Sequence, residues 1–205
     1  MKKYPLIALI LLSYLTLVTH SWASSSILLL GDSVSASYGM QENQGWVHLI
    51  NQRLKQQNAP YKIVNASISG ETTSGGLARL SGILSQGDYQ HLIIELGGND
   101  GLRGYSPKSI KNNLLQMIAI ANQHQVPVSL MKIKITPNYG ARYNQMFEQV
   151  FDELAQEENV NLLPFFMEKI ALDNSLMQAD GIHPNVKAQP IIADYVEQQL
   201  SQLMK

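Results

Sequence analysis

The chain has 205 residues, no cysteine and a formal net charge of −1, from 15 Lys and Arg against 16 Asp and Glu. The lack of cysteine excludes disulfides and thiolate catalysis, and the balanced charge gives no support to nucleic-acid binding, which shows as a basic patch or a high pI. A hydrophobic share of 45% with 15% charged residues fits one globular domain with a sizeable core.

Residues 1–23 read as an export signal. Lys2 and Lys3 precede an apolar run from Leu6 to Val18, and Ser21-Trp22-Ala23 places small residues where a signal peptidase cuts. The run is shorter than the about 20 residues a spanning helix needs, and a lipoprotein anchor would need a cysteine. The expected mature chain is residues 24–205, periplasmic or secreted, with no stable membrane anchor.

Ile27–Leu30 is apolar at every position and too short for a helix, the pattern of a strand buried on both faces. It stops at Gly31-Asp32-Ser33-Val34-Ser35. Gly45–Gln57 reads as a helix with Trp46, Leu49, Ile50 and Leu54 on one stripe, stopped by Asn58-Ala59-Pro60. Tyr61–Asn65 is a second strand and runs into a loop of small residues that holds Gly70. Thr73 or Ser74 is expected to cap the next helix, which carries Leu77, Leu80, Ile83 and Leu84. His91–Leu96 is a third strand and ends in Gly97-Gly98-Asn99-Asp100-Gly101, where the bland reading of Asn99-Asp100-Gly101 is a turn.

Ser106-Pro107 opens a helix through Ile110, Leu114, Met117, Ile118 and Ala121. Val126–Ile135 contains a fourth strand, Tyr143–Glu158 reads as a helix, and Val160–Leu163 is a fifth strand. Pro164–Ile170 is a short helix or turn, and Ala188–Met204 closes the chain as a helix with Pro190 tolerated in its first turn. Regular alternation with short connections predicts an α/β fold, with right-handed crossovers and a parallel sheet of about five strands covered by helices on both faces.

In such a sheet the C-terminal strand ends share one edge, which gathers Ser33, the Gly70 loop and Asn99 although they are far apart in sequence. A serine hydroxyl becomes a useful nucleophile only beside a base that a third group orients. Asp180-Gly181-Ile182-His183 offers both: His183 to take the Ser33 proton, and Asp180, three residues earlier, to fix the imidazole. The tetrahedral intermediate of acyl transfer needs oxyanion donors, and the backbone N–H groups of Ser33 and Gly70 and the amide of Asn99 are the candidates. Asp32 reads as a turn former that holds the serine loop. His48, His91 and His124 read as structural or solvated, and neither a Gly-x-Ser-x-Gly elbow nor a metal-ligand spacing is present.

Gly31-Asp32-Ser33, Gly70, Gly98-Asn99-Asp100 and Asp180-x-x-His183 together resemble the four blocks of the SGNH (GDSL) hydrolases. The match to bacterial periplasmic members that cleave acyl thioesters, aryl esters and lysophospholipids extends over essentially the whole mature chain. It is carried by Asn65–Thr72, Glu95–Gly104, Asn138-Tyr139-Gly140 and Leu163–Met167. The resemblance implies a flavodoxin-like three-layer α/β/α fold and the roles reached above for Ser33, Gly70, Asn99, Asp180 and His183. It further implies acyl-chain contacts from the loop Gly101–Ser106, with Gly101, Leu102, Arg103 and Tyr105, and from Ile135 and Tyr139.

The chain departs from the pattern at Ser37, where a glycine is usual, and at Pro137, one position late. The expectation is an exported monomeric serine esterase and thioesterase, with small acyl esters, thioesters or lysophospholipids as substrates and no cofactor or metal implied. The rival readings are a carbohydrate O-deacetylase on the same fold and an acyl-chain-binding protein with an inert site.

Overall fold

A run without polar alternation is stable as a strand only when neighbours cover both faces, and Ile27, Leu28, Leu29 and Leu30 are all fully buried. Burying each such side chain is worth about 1.5–3 kcal/mol, so this strand forms the spine of the sheet. The structure, a computed structural model, describes residues 25–156 and 160–203. The expected signal, residues 1–23, lies outside the described residues, as do Glu158 and Met204, the expected ends of two helices.

Five parallel strands, β1 (Ser25–Gly31), β2 (Tyr61–Asn65), β3 (Tyr89–Glu95), β4 (Val128–Met131) and β5 (Val160–Leu163), stand in the order β2-β1-β3-β4-β5. Seven helices accompany them among the described residues: α1 (Trp46–Gln56), α2 (Thr73–Leu84), α3 (Gly98–Leu102), α4 (Pro107–Gln123), α5 (Ala141–Leu154), α6 (Met167–Ile170) and α7 (Gln189–Leu203). Right-handed crossovers to β2 and then back across β1 to β3 send successive helices to opposite faces. Accordingly α1 packs against α7, while α2, α4 and α5 pack side by side. None of the helices among the described residues is long and apolar enough to cross a membrane.

This strand order reverses direction between β1 and β3, and the crevice outside such a switch point is where open α/β sheets bind ligands. Register places Gly31 of β1 opposite Glu95 of β3, so the two chain segments that leave these strands, one with Ser33 and one with Asn99, start side by side.

Several expected boundaries shift for local reasons. The helix cap falls one residue earlier than expected: Thr72 Oγ1 accepts the Gly75 N–H at 3.2 Å, and Thr73 is already helical. Thr73 is engaged elsewhere, its N–H and hydroxyl both donating to the Asp100 carboxylate at 2.9 and 2.6 Å. The Gly-rich stretch expected as a turn after β3 is the short helix α3, entered through Gly97 at φ +118°. Asn99 therefore projects from a helical turn that Asp100 pins to the start of α2. Within Val126–Ile135 only Val128–Met131 pairs as strand. Beyond it Lys132 and Lys134 reach out to Asp152 and Glu168, while Ile133 is buried and Ile135 packs against the core.

Candidate active site

Ser33 sits two residues past the end of β1 in a tight turn whose Asp32 carboxylate accepts the Val34 N–H at 3.1 Å. Its Oγ lies 2.8 Å from His183 Nε2, across 150 positions of sequence. His183 Nδ1 in turn lies 2.7 Å from Asp180 Oδ2. The other oxygen of Asp180 accepts the N–H groups of Ile182 and His183 at 2.9 and 3.0 Å. One carboxylate thus caps the turn that carries the histidine and binds its ring. Partial burial pushes the Asp180 carboxyl up, but those two N–H groups and the imidazole outweigh it and hold it at about 2.

The histidine loop is anchored by residues that the sequence pattern did not single out. Gln178 Nε2 donates to the carbonyls of Tyr38 and Pro184 at 2.8 and 3.0 Å, and Asn185 Nδ2 to those of Ser175 and Met177. The Tyr38 ring lies 4.3 Å from the His183 ring, centroid to centroid. Side-chain amides bonded to carbonyls at separations from 6 to 140 positions have no periodic signature, so only the folded chain reveals them.

Of the oxyanion candidates, Ser33 and Asn99 line the cavity beside the serine, and Gly70 lies outside its lining. Asn99 Nδ2 donates one hydrogen to Asp32 Oδ2 at 3.2 Å. A primary amide carries two, so its second is free to meet a substrate oxygen. Gly70 has φ +79°, a left-handed conformation that glycine adopts at little cost. Arg103 crosses to the Gly70 carbonyl at 3.2 Å. Asp32 does more than shape the turn: burial, opposed by Val34, His183 and Asn99, pushes its carboxyl up to about 6.

The cavity beside Ser33 has a volume of about 230 Å³ and is lined mainly by apolar side chains, among them Leu102, Ile135, Phe165, Met167 and Ile182. Of the six residues expected to meet an acyl chain, Leu102 and Ile135 line it, and the other four lie outside the lining. Gly101 is a spacer, since a Cβ there would fall 2.8 Å from Ile135 and 2.9 Å from Phe147. Tyr139 donates its hydroxyl to the Leu102 carbonyl at 2.5 Å, and the Tyr105 carbonyl receives the Tyr143 hydroxyl at 2.6 Å. These contacts with Arg103 brace the loop whose Leu102 forms the wall.

Ser37, the departure from the glycine pattern, holds φ +60°. Its side chain fills the space beside Gly45, where a Cβ would lie 1.9 Å from the Ser37 hydroxyl. His91 is buried against Ser129 Oγ at 2.8 Å, and burial lowers its pKa, as suits a core residue. Among the described residues no group of three or more His, Asp or Glu is placed to hold a metal ion.

A family model for the GDSL-like lipases and acylhydrolases matches residues 29–190. The chain belongs to this family. Among its curated GDSL relatives, esterase TesA of Pseudomonas aeruginosa is 43% identical over 93% of this chain and 94% of its own length. The thioesterase 1/protease 1/lysophospholipase L1 of Escherichia coli is 42% identical over 98% of this chain and 92% of its own. Among solved GDSL structures, the psychrotrophic esterase EstA from Pseudoalteromonas sp., inhibited by monoethylphosphonate, superposes with a TM-score of 0.86 at 42% identity. That superposition covers 88% of this chain and 98% of EstA. The expected α/β SGNH fold, with its parallel five-stranded sheet, is the one observed.

Proposed function

We propose that the chain is an exported serine hydrolase that cleaves acyl esters and thioesters, lysophospholipids included, by acyl transfer through Ser33. The observation that supports it most is the continuous line of hydrogen bonds from Asp180 through His183 to Ser33 Oγ, opening onto an apolar cavity. In this reading His183 Nε2 takes the hydroxyl proton as Oγ attacks the carbonyl carbon. The oxyanion that forms is met by the N–H groups of Ser33 and Gly70 and by the free hydrogen of the Asn99 amide. Collapse expels the alcohol or thiol, which receives the proton from His183. Water then attacks the acyl-serine, giving its proton to the same nitrogen, and the carboxylic acid leaves as Ser33 recovers its hydrogen.

The curated relatives bear the names esterase and thioesterase 1/protease 1/lysophospholipase L1, which supports the ester and thioester classes. Residues 1–23 supply the export signal in this proposal, and the active enzyme is a periplasmic or secreted monomer without a cofactor. The apolar wall favours acyl tails over the acetyl group of a decorated sugar.

Hydrolysis of a p-nitrophenyl ester series from acetyl upward, with Ser33→Ala as the control, tests it. Wild-type turnover should rise beyond acetyl, and Ser33→Ala should be inactive and unlabelled by a fluorophosphonate. Best activity on acetyl esters would favour the deacetylase, and turnover by Ser33→Ala would refute the mechanism.

A further inference from the structure

The chemistry proposed above leaves a buried carboxyl of the same cavity, Glu95, without a role. Glu95 closes β3 and is 2% exposed. Its Oε2 accepts the Ser35 hydroxyl at 2.7 Å and the Asp32 backbone N–H at 3.3 Å. Those donors flank Ser33, one residue before it and two after. Both arms of the nucleophile turn therefore hang from a single carboxyl oxygen of the neighbouring strand.

The surroundings are built for that carboxyl. Residue 31, opposite Glu95 in the ladder, is glycine, and a Cβ there would lie 2.7 Å from Glu95 Oε2 and 2.7 Å from Ser67 Oγ. Asn65 Nδ2 secures the same turn from β2, donating to the Ser35 carbonyl at 2.8 Å. Asp32, the ionisable neighbour of Glu95, has His183 and Asp100 acting on it in turn. Burial, and then the charge of Asp32, push Glu95 well above the usual carboxylate range. Both effects favour the neutral form of the side chain. A neutral carboxyl keeps its acceptor oxygen for the two donors without the cost of a second buried charge.

We propose that Glu95 is a positioning residue for the nucleophile: its carboxyl oxygen suspends the turn at Asp32 and Ser35 and so sets the Ser33 hydroxyl against His183. The inference rests on the assignment of Ser33 as nucleophile. Misplacement of a reacting group by about 1 Å can cost on the order of 10²-fold in rate, and the apolar side chains that wall the cavity are unchanged, so the defect should fall on kcat.

The test compares wild type, Glu95→Ala, Glu95→Gln and Ser35→Ala. It uses kcat and KM on p-nitrophenyl hexanoate, the rate of labelling by a fluorophosphonate, and Tm. Glu95→Ala should lose about 10²-fold in kcat, with KM within about twofold of wild type and labelling slowed in parallel. Glutamine offers the same acceptor oxygen, so Glu95→Gln should recover to within a few-fold of wild type. Ser35→Ala, which removes one suspending bond from the other side, should fall between them and gives the answer if Glu95→Ala does not fold.

Unchanged kcat in Glu95→Ala or Ser35→Ala would overturn the proposal, as would a loss that appears in KM alone. A glutamine variant as slow as the alanine variant would do the same. A wild type that neither turns over the ester nor labels would instead overturn the hydrolase reading and this inference with it.

Discussion

Asp180→Asn separates what the carboxylate does for the imidazole from what it does for the loop. Oδ1 accepts two backbone N–H groups, and Oδ2 meets His183 Nδ1 at 2.7 Å. Asparagine must turn its carbonyl oxygen to the backbone donors, because they have nothing to accept with. Its amide nitrogen then presents a hydrogen to Nδ1, and the neutral ring must carry its own proton on Nε2. That nitrogen is the one 2.8 Å from Ser33 Oγ, and once protonated it cannot take the hydroxyl proton. The same substitution in a serine-protease triad costs about 10⁴ in kcat, or about 5.4 kcal/mol of barrier at about 1.36 kcal/mol per tenfold. We expect a loss of that order here, measured with a p-nitrophenyl ester at pH 8, with Tm close to wild type because the turn keeps its bonds. Asp180→Ala should lose activity and Tm together. A kcat within tenfold of wild type in Asp180→Asn, at unchanged Tm, would refute the tautomer argument.

Asn99→Ala should lower kcat by about 10²–10³ with little change in KM, because it removes one oxyanion donor. It also deprives Asp32 of an amide bond that holds its carboxyl down; an unchanged kcat would remove Asn99 from the oxyanion hole. Acid should act through Asp180, held at about 2 in the fold against about 3.9 in an unfolded chain. A depressed carboxyl contributes stability that is present above about pH 4 and lost as pH falls towards 2. The stability gap between wild type and Asp180→Ala, from urea melts, should therefore narrow between pH 4 and pH 2, and a constant gap would speak against the pairing. Asp32 works in the opposite sense. Its value of about 6 means a contribution fully present below about pH 4 that is lost as pH rises through 6.

Much of the molecule was readable in the chain because its signals are local. Unbroken apolar runs such as Ile27–Leu30 can only be strands covered on both sides, and helical stripes such as Ile110 to Ala121 name their buried face. Tyr61–Asn65 and Val160–Leu163 match to the residue. Boundaries moved where a distant partner decided them: Thr73 gave up its expected capping role because Asp100, 27 residues on, takes both its donors. Glycines at 97, 98 and 101 suggested a turn, yet Phe147 and Ile135 pack closely around Gly101 of the short helix α3.

That Ser33, His183 and Asp180 come into hydrogen-bond contact, with Asn99 at the same cavity, was legible because acyl-transfer chemistry restricts which residue types can serve, and a parallel sheet gathers its strand ends on one edge. The cavity was legible only in part. Leu102 and Ile135 line it, whereas Arg103 and Tyr139 donate to the backbone carbonyls of Gly70 and Leu102, and the Tyr105 carbonyl receives the Tyr143 hydroxyl from α5. Phe165, Met167 and Ile182 arrive from segments with no common spacing. By itself the chain determined the order of its strands in sequence, its helix faces and the chemical types at its strand ends, since backbone preference and side-chain chemistry act over a few residues. Only the tertiary structure decided that Glu95 and Asp32 lie together beneath the nucleophile, and that Gln178 and Asn185 hold the histidine loop. Such contacts depend on the register of β1 against β3 and on loop closure across as many as 140 positions, which no local pattern encodes.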